Sequence, residues 1–151
     1  MARLRRLCAM HGQPHVVPAS LDATTLNGML TGFADLIVQW NGRFHVLDYK
    51  TNWLGARLND YRGASLDAAM TEHHYPLQAL LYTVALHRYL RQRMVGYTAE
   101  SHLGDSWYLF VRAVGLEPTS PIGLGVWRHR WPVTLIEALD DAFAGLQEAA
   151  A

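Results

Sequence analysis

The dipeptide Asn41-Gly42 lies between two runs rich in Val, Ile, Leu, Phe and Trp, and it limits the fold of this chain more than any other feature. Asn-Gly readily takes the positive φ angles that a two-residue hairpin loop needs, and the apolar runs beside it read as paired strands. The spacing predicts strands over 27–40 and 43–50, and it also sets a register. With Trp40 opposite Arg43, the pairs run back through Gln39–Phe44, Val38–His45, Ile37–Val46 and Leu36–Leu47 to Asp35–Asp48. Directly opposed residues have Cβ atoms about 4.5–5.5 Å apart, so this register sets two carboxylates face to face among hydrophobic neighbours. They repel, and desolvation adds to the cost or makes one of them keep a proton. A divalent cation relieves the conflict, because hard ions seek carboxylate oxygens. Strand alternation sets Lys50 on the face of Asp48, where an ammonium could orient a water or stabilise negative charge on a phosphate. The competing readings are a register slipped by one residue, or aspartates that end the strands beside Lys50 as a plain ion pair.

The rest of the chain supplies layers to cover such a hairpin. Residues 1–26 read as irregular, with a short helix at Leu4–Ala9 and an extended piece, "PHVVPAS". Gly, Asn and Asp over 54–64 predict a loop, and Ser65 is placed to cap a helix to about His73. Pro76 suits the first turn of a longer helix, "YPLQALLYTVALHRYLRQRM", with Leu77, Leu80, Leu81, Val84 and Leu90 as its apolar stripe. "SWYLFVRAV" at 106–114 reads as a strand and the Gly/Pro-rich stretch 115–132 as a loop. Thr134 and Glu137 have capping-box spacing ahead of a last helix to about Leu146, with Leu135, Leu139, Ala142, Phe143 and Leu146 on one side. An extra strand is expected from the segment before Gly32. Hairpin, helices, strand and helix in that order argue for an α/β layer arrangement in which helices cover a small mixed sheet.

Composition narrows the function classes. The formal net charge is zero, so no global basic field announces a polyanion. Contact with one would fall to local clusters: Arg3, Arg5 and Arg6; Arg88, Arg91 and Arg93; Arg128 and Arg130. The bland reading makes these solvated helix or loop residues. Cys8 is the only cysteine, which excludes disulfide scaffolds and thiolate metal sites within one chain. No apolar stretch approaches membrane-spanning length, and the start lacks the form of a secretory signal, so a soluble, cytoplasmic protein is the default expectation. A zinc reading of His73, His74 and His129 lacks H-E-x-x-H or equivalent spacing.

The strings "GFADLIV", "HVLDYKTNWLG", "LQALLYTVALHRYL" and "SHLGDSWYLFVRAVG" resemble the carboxy-terminal nuclease domain of the RecB family, the beta subunit of exonuclease V, within the PD-(D/E)xK superfamily. The likeness runs from about Asn27 to Phe143. It implies a restriction-endonuclease-like fold, with a nuclease domain over 27–147 behind an irregular or truncated segment, 1–26. It also implies Mg²⁺-dependent exonuclease or endonuclease hydrolysis of DNA in repair and recombination, with Mn²⁺ able to substitute. In that likeness Asp35 and Asp48 are the metal-binding carboxylates, Lys50 is the catalytic lysine, and the main-chain carbonyl of Tyr49 is a further metal ligand. Gln78 and Tyr82 match the family's Q-x-x-x-Y helix motif beside the substrate, and i, i+4 spacing puts them on one face. Taken alone, the two would read as helix surface and packing. Tyr49 and Trp53 could stack on bases of a single strand; the competing fate for Trp53 is burial in the core. The implied partners are single-stranded or unwound DNA and, for a longer chain, the subunits of a helicase–nuclease complex, with no membrane.

Two departures stand out. The family carries a metal-binding histidine on a helix well upstream of the first aspartate. Only 34 residues precede Asp35, and His11 and His15 flank Pro14, which argues against a helix there. The family's HxGG becomes His102-Leu103-Gly104-Asp105. The helicase phosphate loop is absent from this sequence as well. The chain thus reads as a detached or truncated nuclease module. The alternative is a catalytically incomplete, nuclease-like module that docks DNA or protein.

Overall fold

The computed structural model of the protein describes residues 1–21, 32–116 and 123–148, the side chains of 146–148 excepted. The hairpin forms as its turn chemistry requires. Asn41 and Gly42 both take positive φ, 49° and 76°, as a type I′ turn demands. They join β1 (Leu36–Trp40) to β2 (Arg43–Lys50) in the register read from the sequence, from Trp40–Arg43 back to Leu36–Leu47. The strand predicted over 27–40 is shorter among the described residues, because β1 starts at Leu36. Its first residues, and the extra strand expected before Gly32, lie outside the described residues.

Beyond β2 a short 3₁₀ turn (Leu58–Tyr61) leads into α2 (Gly63–Glu72) and α3 (Tyr75–Arg93). The N-cap of α2 is Arg62, not Ser65, because the preceding turn delivers the chain to the helix three residues early. His74 takes a left-handed φ of 55° and separates the helices, and Pro76 sits in the first turn of α3. Leu77, Leu80, Val84 and Leu90 of its predicted stripe are buried, and Leu81 is half-buried. A four-residue α4 (Ala99–His102), capped by the Thr98 hydroxyl, precedes β3 (Leu103–Phe110). The sequence reading put β3 at 106–114, three residues late. The apolar run continues to Val114, but the backbone turns after Phe110, where Ala113 N donates to Phe110 O.

β3 runs parallel to β2, and β4 (Val126–His129) pairs antiparallel with β3, so the sheet is mixed in the order β1-β2-β3-β4. β4 falls inside the stretch read as a loop, since four residues bounded by Gly and Pro carry little strand signal. Thr134 does not cap α5 (Val133–Glu148). It lies within the helix, and its hydroxyl meets His11 Nδ1 at 2.9 Å.

The core sits between the sheet and the helices. Val46, Tyr108 and Phe110 face Ala79, Leu80 and Val84 of α3 and Leu135, Ile136 and Leu139 of α5 in one buried cluster. α1 (Ala2–Met10) belongs to it through Leu4 and Cys8. "PHVVPAS" forms turns, not an extended piece, although Val16 and Val17 are buried. Leu135, Leu139 and Ala142 of the last helix are buried and Phe143 is half-buried, while the Leu146 side chain lies outside the described residues.

The departure at Asp105 is compensated within the fold. Its carboxylate is buried and accepts from Arg128 Nε at 2.6 Å, and Arg130 Nη1 lies 3.3 Å away. An ion-paired clamp between β3 and the end of β4 replaces the glycine. Gly104, by contrast, has no room for a side chain. A Cβ there would lie 2.6 Å from the Phe44 carbonyl oxygen and from the His45 ring. Gly104→Ala is expected to cost about 1–3 kcal/mol through overpacking, read as a lower urea midpoint with an unchanged m-value. An unchanged midpoint would show that β2 and β3 can part freely.

Candidate active site

The site forms where β2 ends against α3. Asp48 lies on the core face of β2 and is buried. Two residues on, Lys50 returns to that face, and its Nζ meets Asp48 Oδ2 at 2.5 Å. Nζ also donates to Gln78 Oε1 at 3.1 Å, and stands 3.9 Å from the Tyr75 ring centroid and 4.9 Å from that of Tyr108. The ammonium thus trades water for a carboxylate, an amide oxygen and aromatic faces, which suit a partly desolvated cation.

Asp35 arrives from the segment that leads into β1, beyond the last ladder pair, Leu36–Leu47. It stands at a bend one residue before β1, and its Oδ2 accepts from Tyr49 N at 2.8 Å. Its charge is felt at Asp48. Burial pushes the Asp48 carboxyl above its usual range and Asp35 adds to that push, while Lys50 opposes it through a hydrogen bond and its charge. In a strand, a residue's N–H and C=O point toward the same neighbour. The Tyr49 carbonyl therefore faces the edge that Asp35 occupies, just past the end of β1.

Gln78 and Tyr82 share one face of α3, as their spacing requires, and both are spoken for inside the protein. Gln78 Oε1 accepts from Tyr108 OH at 3.0 Å as well as from Lys50. Gln78 Nε2 donates to Tyr82 OH at 3.0 Å, and that hydroxyl donates to the Phe33 carbonyl at 2.9 Å. One relay therefore links Lys50 to the segment that presents Asp35. Gly32 allows the approach, since a Cβ there would lie 2.9 Å from the Tyr82 ring. Burial raises the Tyr82 hydroxyl pKa, which keeps it a neutral donor.

The sequence reading missed Tyr75, Tyr108 and Asn52. Tyr108 was reachable through strand parity, because Ser106, Tyr108 and Phe110 alternate on the buried face of β3. Tyr75 and Asn52 carried no signal; Tyr75 OH donates to Asn52 Oδ1 at 3.1 Å. Trp53 is not in the core. It is 65% exposed, and Tyr49 is 47% exposed.

Arg5, Arg88, Arg91, Arg128 and Arg130 are engaged within the fold, whereas Arg3, Arg6 and Arg93 are exposed, as the solvated reading has them. Arg5 donates to the carbonyls of Pro18, Ala19 and Leu21. Arg88 and Arg91 pair with the buried Asp140 and tie α3 to α5. Arg128 and Arg130 hold Asp105.

The donor set around Asp48 consists of hard oxygens: two carboxylates and a main-chain carbonyl. Among the described residues, no group of three His, Cys, Asp or Glu side chains forms a metal cluster. A small hard cation still fits, because Mg²⁺ keeps several waters and is often held by one or two carboxylates. One lysine charge also leaves the two aspartates with a net negative charge to be met.

Comparison with known proteins shows the family of the chain. The model of the PD-(D/E)XK nuclease superfamily matches residues 2–149. RecBCD enzyme subunit RecB of Escherichia coli (strain K12) is 44% identical over 126 residues, which cover 83% of this chain and 10% of that protein. The same subunit of Haemophilus influenzae is 40% identical over 129 residues, covering 85% and 10%. That of Mycobacterium tuberculosis (strain ATCC 25618 / H37Rv) is 43% identical over 129 residues, covering 82% and 12%. The chain spans about a tenth of the length of these curated relatives. No helix among the described residues is long and apolar enough to cross a membrane. The superfamily match takes in the hairpin, the crossover helices and the final helix alike, and the chain belongs to the PD-(D/E)XK nuclease superfamily.

Proposed function

We propose that this chain is a RecB-type deoxyribonuclease domain that hydrolyses DNA phosphodiester bonds with Mg²⁺, or Mn²⁺ in its place. The observation that carries the reading is the close pair of Asp48 and Lys50 at the end of β2, with Asp35 brought to it by the hairpin. Asp35, Asp48 and the Tyr49 carbonyl would hold the cation. When bound, it supplies Lewis-acid polarisation of a phosphate oxygen and a lowered pKa for water.

The chain's own residues do the rest. Asp48 and Gln78 fix the Lys50 ammonium, and the low local dielectric makes its charge more effective against negative charge developing on the phosphate. Tyr82, through the Phe33 carbonyl, holds the segment that carries Asp35. Gln78 and Tyr82 are then positioning residues, with substrate contact secondary. The partners this reading implies are DNA, as a single strand or unwound duplex, and the subunits of a cytoplasmic helicase–nuclease complex acting in repair and recombination.

A second reading, a docking module without catalysis, draws on the small side-chain donor set. Degradation of linear single-stranded DNA with Mg²⁺ or Mn²⁺ separates the two. The wild type is expected to cleave, and Lys50→Ala to lose on the order of 10²-fold or more. Cleavage that survives this substitution would not come from this site. No wild-type cleavage, with cation binding intact, would favour the docking module.

Titration offers a test independent of turnover. The Asp48 carboxyl is raised in the fold, so between its ordinary range and its folded value the native state holds more protons than the unfolded one. Its contribution to stability is then largest at low pH and declines as pH rises through the folded value. The wild type should gain stability relative to Asp48→Asn as pH is lowered from neutral toward 4. At neutral pH, Mg²⁺ should raise the wild-type Tm by mass action and leave that of Asp48→Asn unmoved. Urea midpoints across pH, and melts with and without Mg²⁺, check both; a pH-independent difference between the two proteins would remove the proposed burden on Asp48.

A further inference from the structure

A cleft of about 280 Å³ opens beside the C-terminal end of β2, lined by Trp53, Arg57, Leu58, Tyr61 and Arg112 among others. Its size is close to the lower end of small-ligand sites, roughly 300 Å³. The cleft is joined to the proposed active site by backbone. Val111 N donates to the Lys50 carbonyl at 3.0 Å, and Arg112 Nε donates to the Thr51 carbonyl at 2.9 Å. Trp53 follows Lys50 by three residues, which span at most roughly 10 Å. That is about three base steps at 3.4 Å per step along one strand.

The cleft is held in shape before any ligand arrives. The Asp60 carboxylate accepts from Arg57 N at 2.8 Å, and Gly55, at φ 148°, packs so tightly on it that a Cβ would clash at 2.1 Å. Leu54 N donates to Tyr61 OH at 3.2 Å, and Tyr61 O accepts from Gly125 N at 3.0 Å. Among the described residues the lining carries two arginines and no carboxylate. The larger cavity beside α5 differs, with Glu100, Glu137, Asp140 and Asp141 in its wall against a single arginine, Arg91, which pairs with Asp140. An exposed indole flanked by two guanidinium groups is the arrangement that suits a single nucleic-acid strand, because every base has a face to stack and every nucleotide a phosphate to pair.

We propose that this cleft is a single-strand subsite, in which one unpaired base stacks on Trp53 while Arg57 and Arg112 take the adjoining phosphates. The proposal rests on the deoxyribonuclease reading and adds to it the residues that would take an unpaired base and its phosphates, since a paired base cannot present its face to the indole. Binding of a short fluorescent oligothymidylate, followed by anisotropy in EDTA at low salt, tests it without cleavage. The comparison strand has the same length and carries abasic positions.

Trp53→Ala should weaken binding of the base-bearing strand about 5- to 100-fold and leave the abasic strand nearly unchanged. Trp53→Phe should recover much of the loss. Arg112→Gln and Arg57→Gln should weaken both strands alike and flatten the logarithmic salt slope by about 0.7 each. Equal loss on both strands with Trp53→Ala, no loss, or no strand binding by the wild type would overturn the subsite. A chain that cleaves nothing yet binds with this Trp53 dependence upholds the subsite and overturns only the catalytic reading.

Discussion

Lys50 stands in a place where an ammonium would be costly without its neighbours. Only 11% of its side chain is exposed, and its charge is met by the Asp48 carboxylate, an amide oxygen and the faces of two tyrosines. Removing one partner of such a buried pair is far more damaging than the net worth of the pair, because it strands the other charge. The surrounding fold is arranged to keep both partners in place. β2 supplies the pair at alternate positions of one face, β3 supplies Tyr108 at the level of Asp48, and α3 lays Gln78 over the lysine.

This constraint explains why the crossover between β2 and β3 carries a long helix with polar groups on a face that otherwise packs the core. Gln78 and Tyr82 are anchored at both ends, at Lys50 and at the Phe33 carbonyl, so the relay ties the segment that bears Asp35 to the end of β2. A fully satisfied polar network in a low-dielectric site adds rigidity. Catalytic preorganisation has the same requirement, since groups aimed at developing charge should not need to move.

Elsewhere the chain shows how a local departure is absorbed. An aspartate at 105 would be unfavourable in a buried strand, yet Arg128 and Arg130 arrive from the end of the neighbouring strand to hold it. Asp140 plays a similar part between the two long helices, with Arg88 and Arg91 as its partners. Much of the arginine content is therefore committed to structure. The cations at the end of β2, Arg57 and Arg112, lie in loops and turns with no pattern in sequence to mark them.

The hairpin, its register and the pairing of Asp48 with Lys50 on one face were legible in the residues themselves. Turn chemistry at Asn41-Gly42 and the two-residue period of a strand are local rules that act over a few bonds. The same holds for α3, whose stripe and proline are local signals. The sequence alone could not reveal β4, the early start of β3, the role of Tyr75 and Asn52, or the exposure of Trp53. Each depends on what lies across a sheet or against a helix from residues far along the chain. Val126–His129 is a strand only because β3 offers it an edge, and Trp53 stays at the surface, where it lines a cleft over the buried Tyr61. Local stereochemistry determined which groups this chain could present, and long-range packing decided which of them meet.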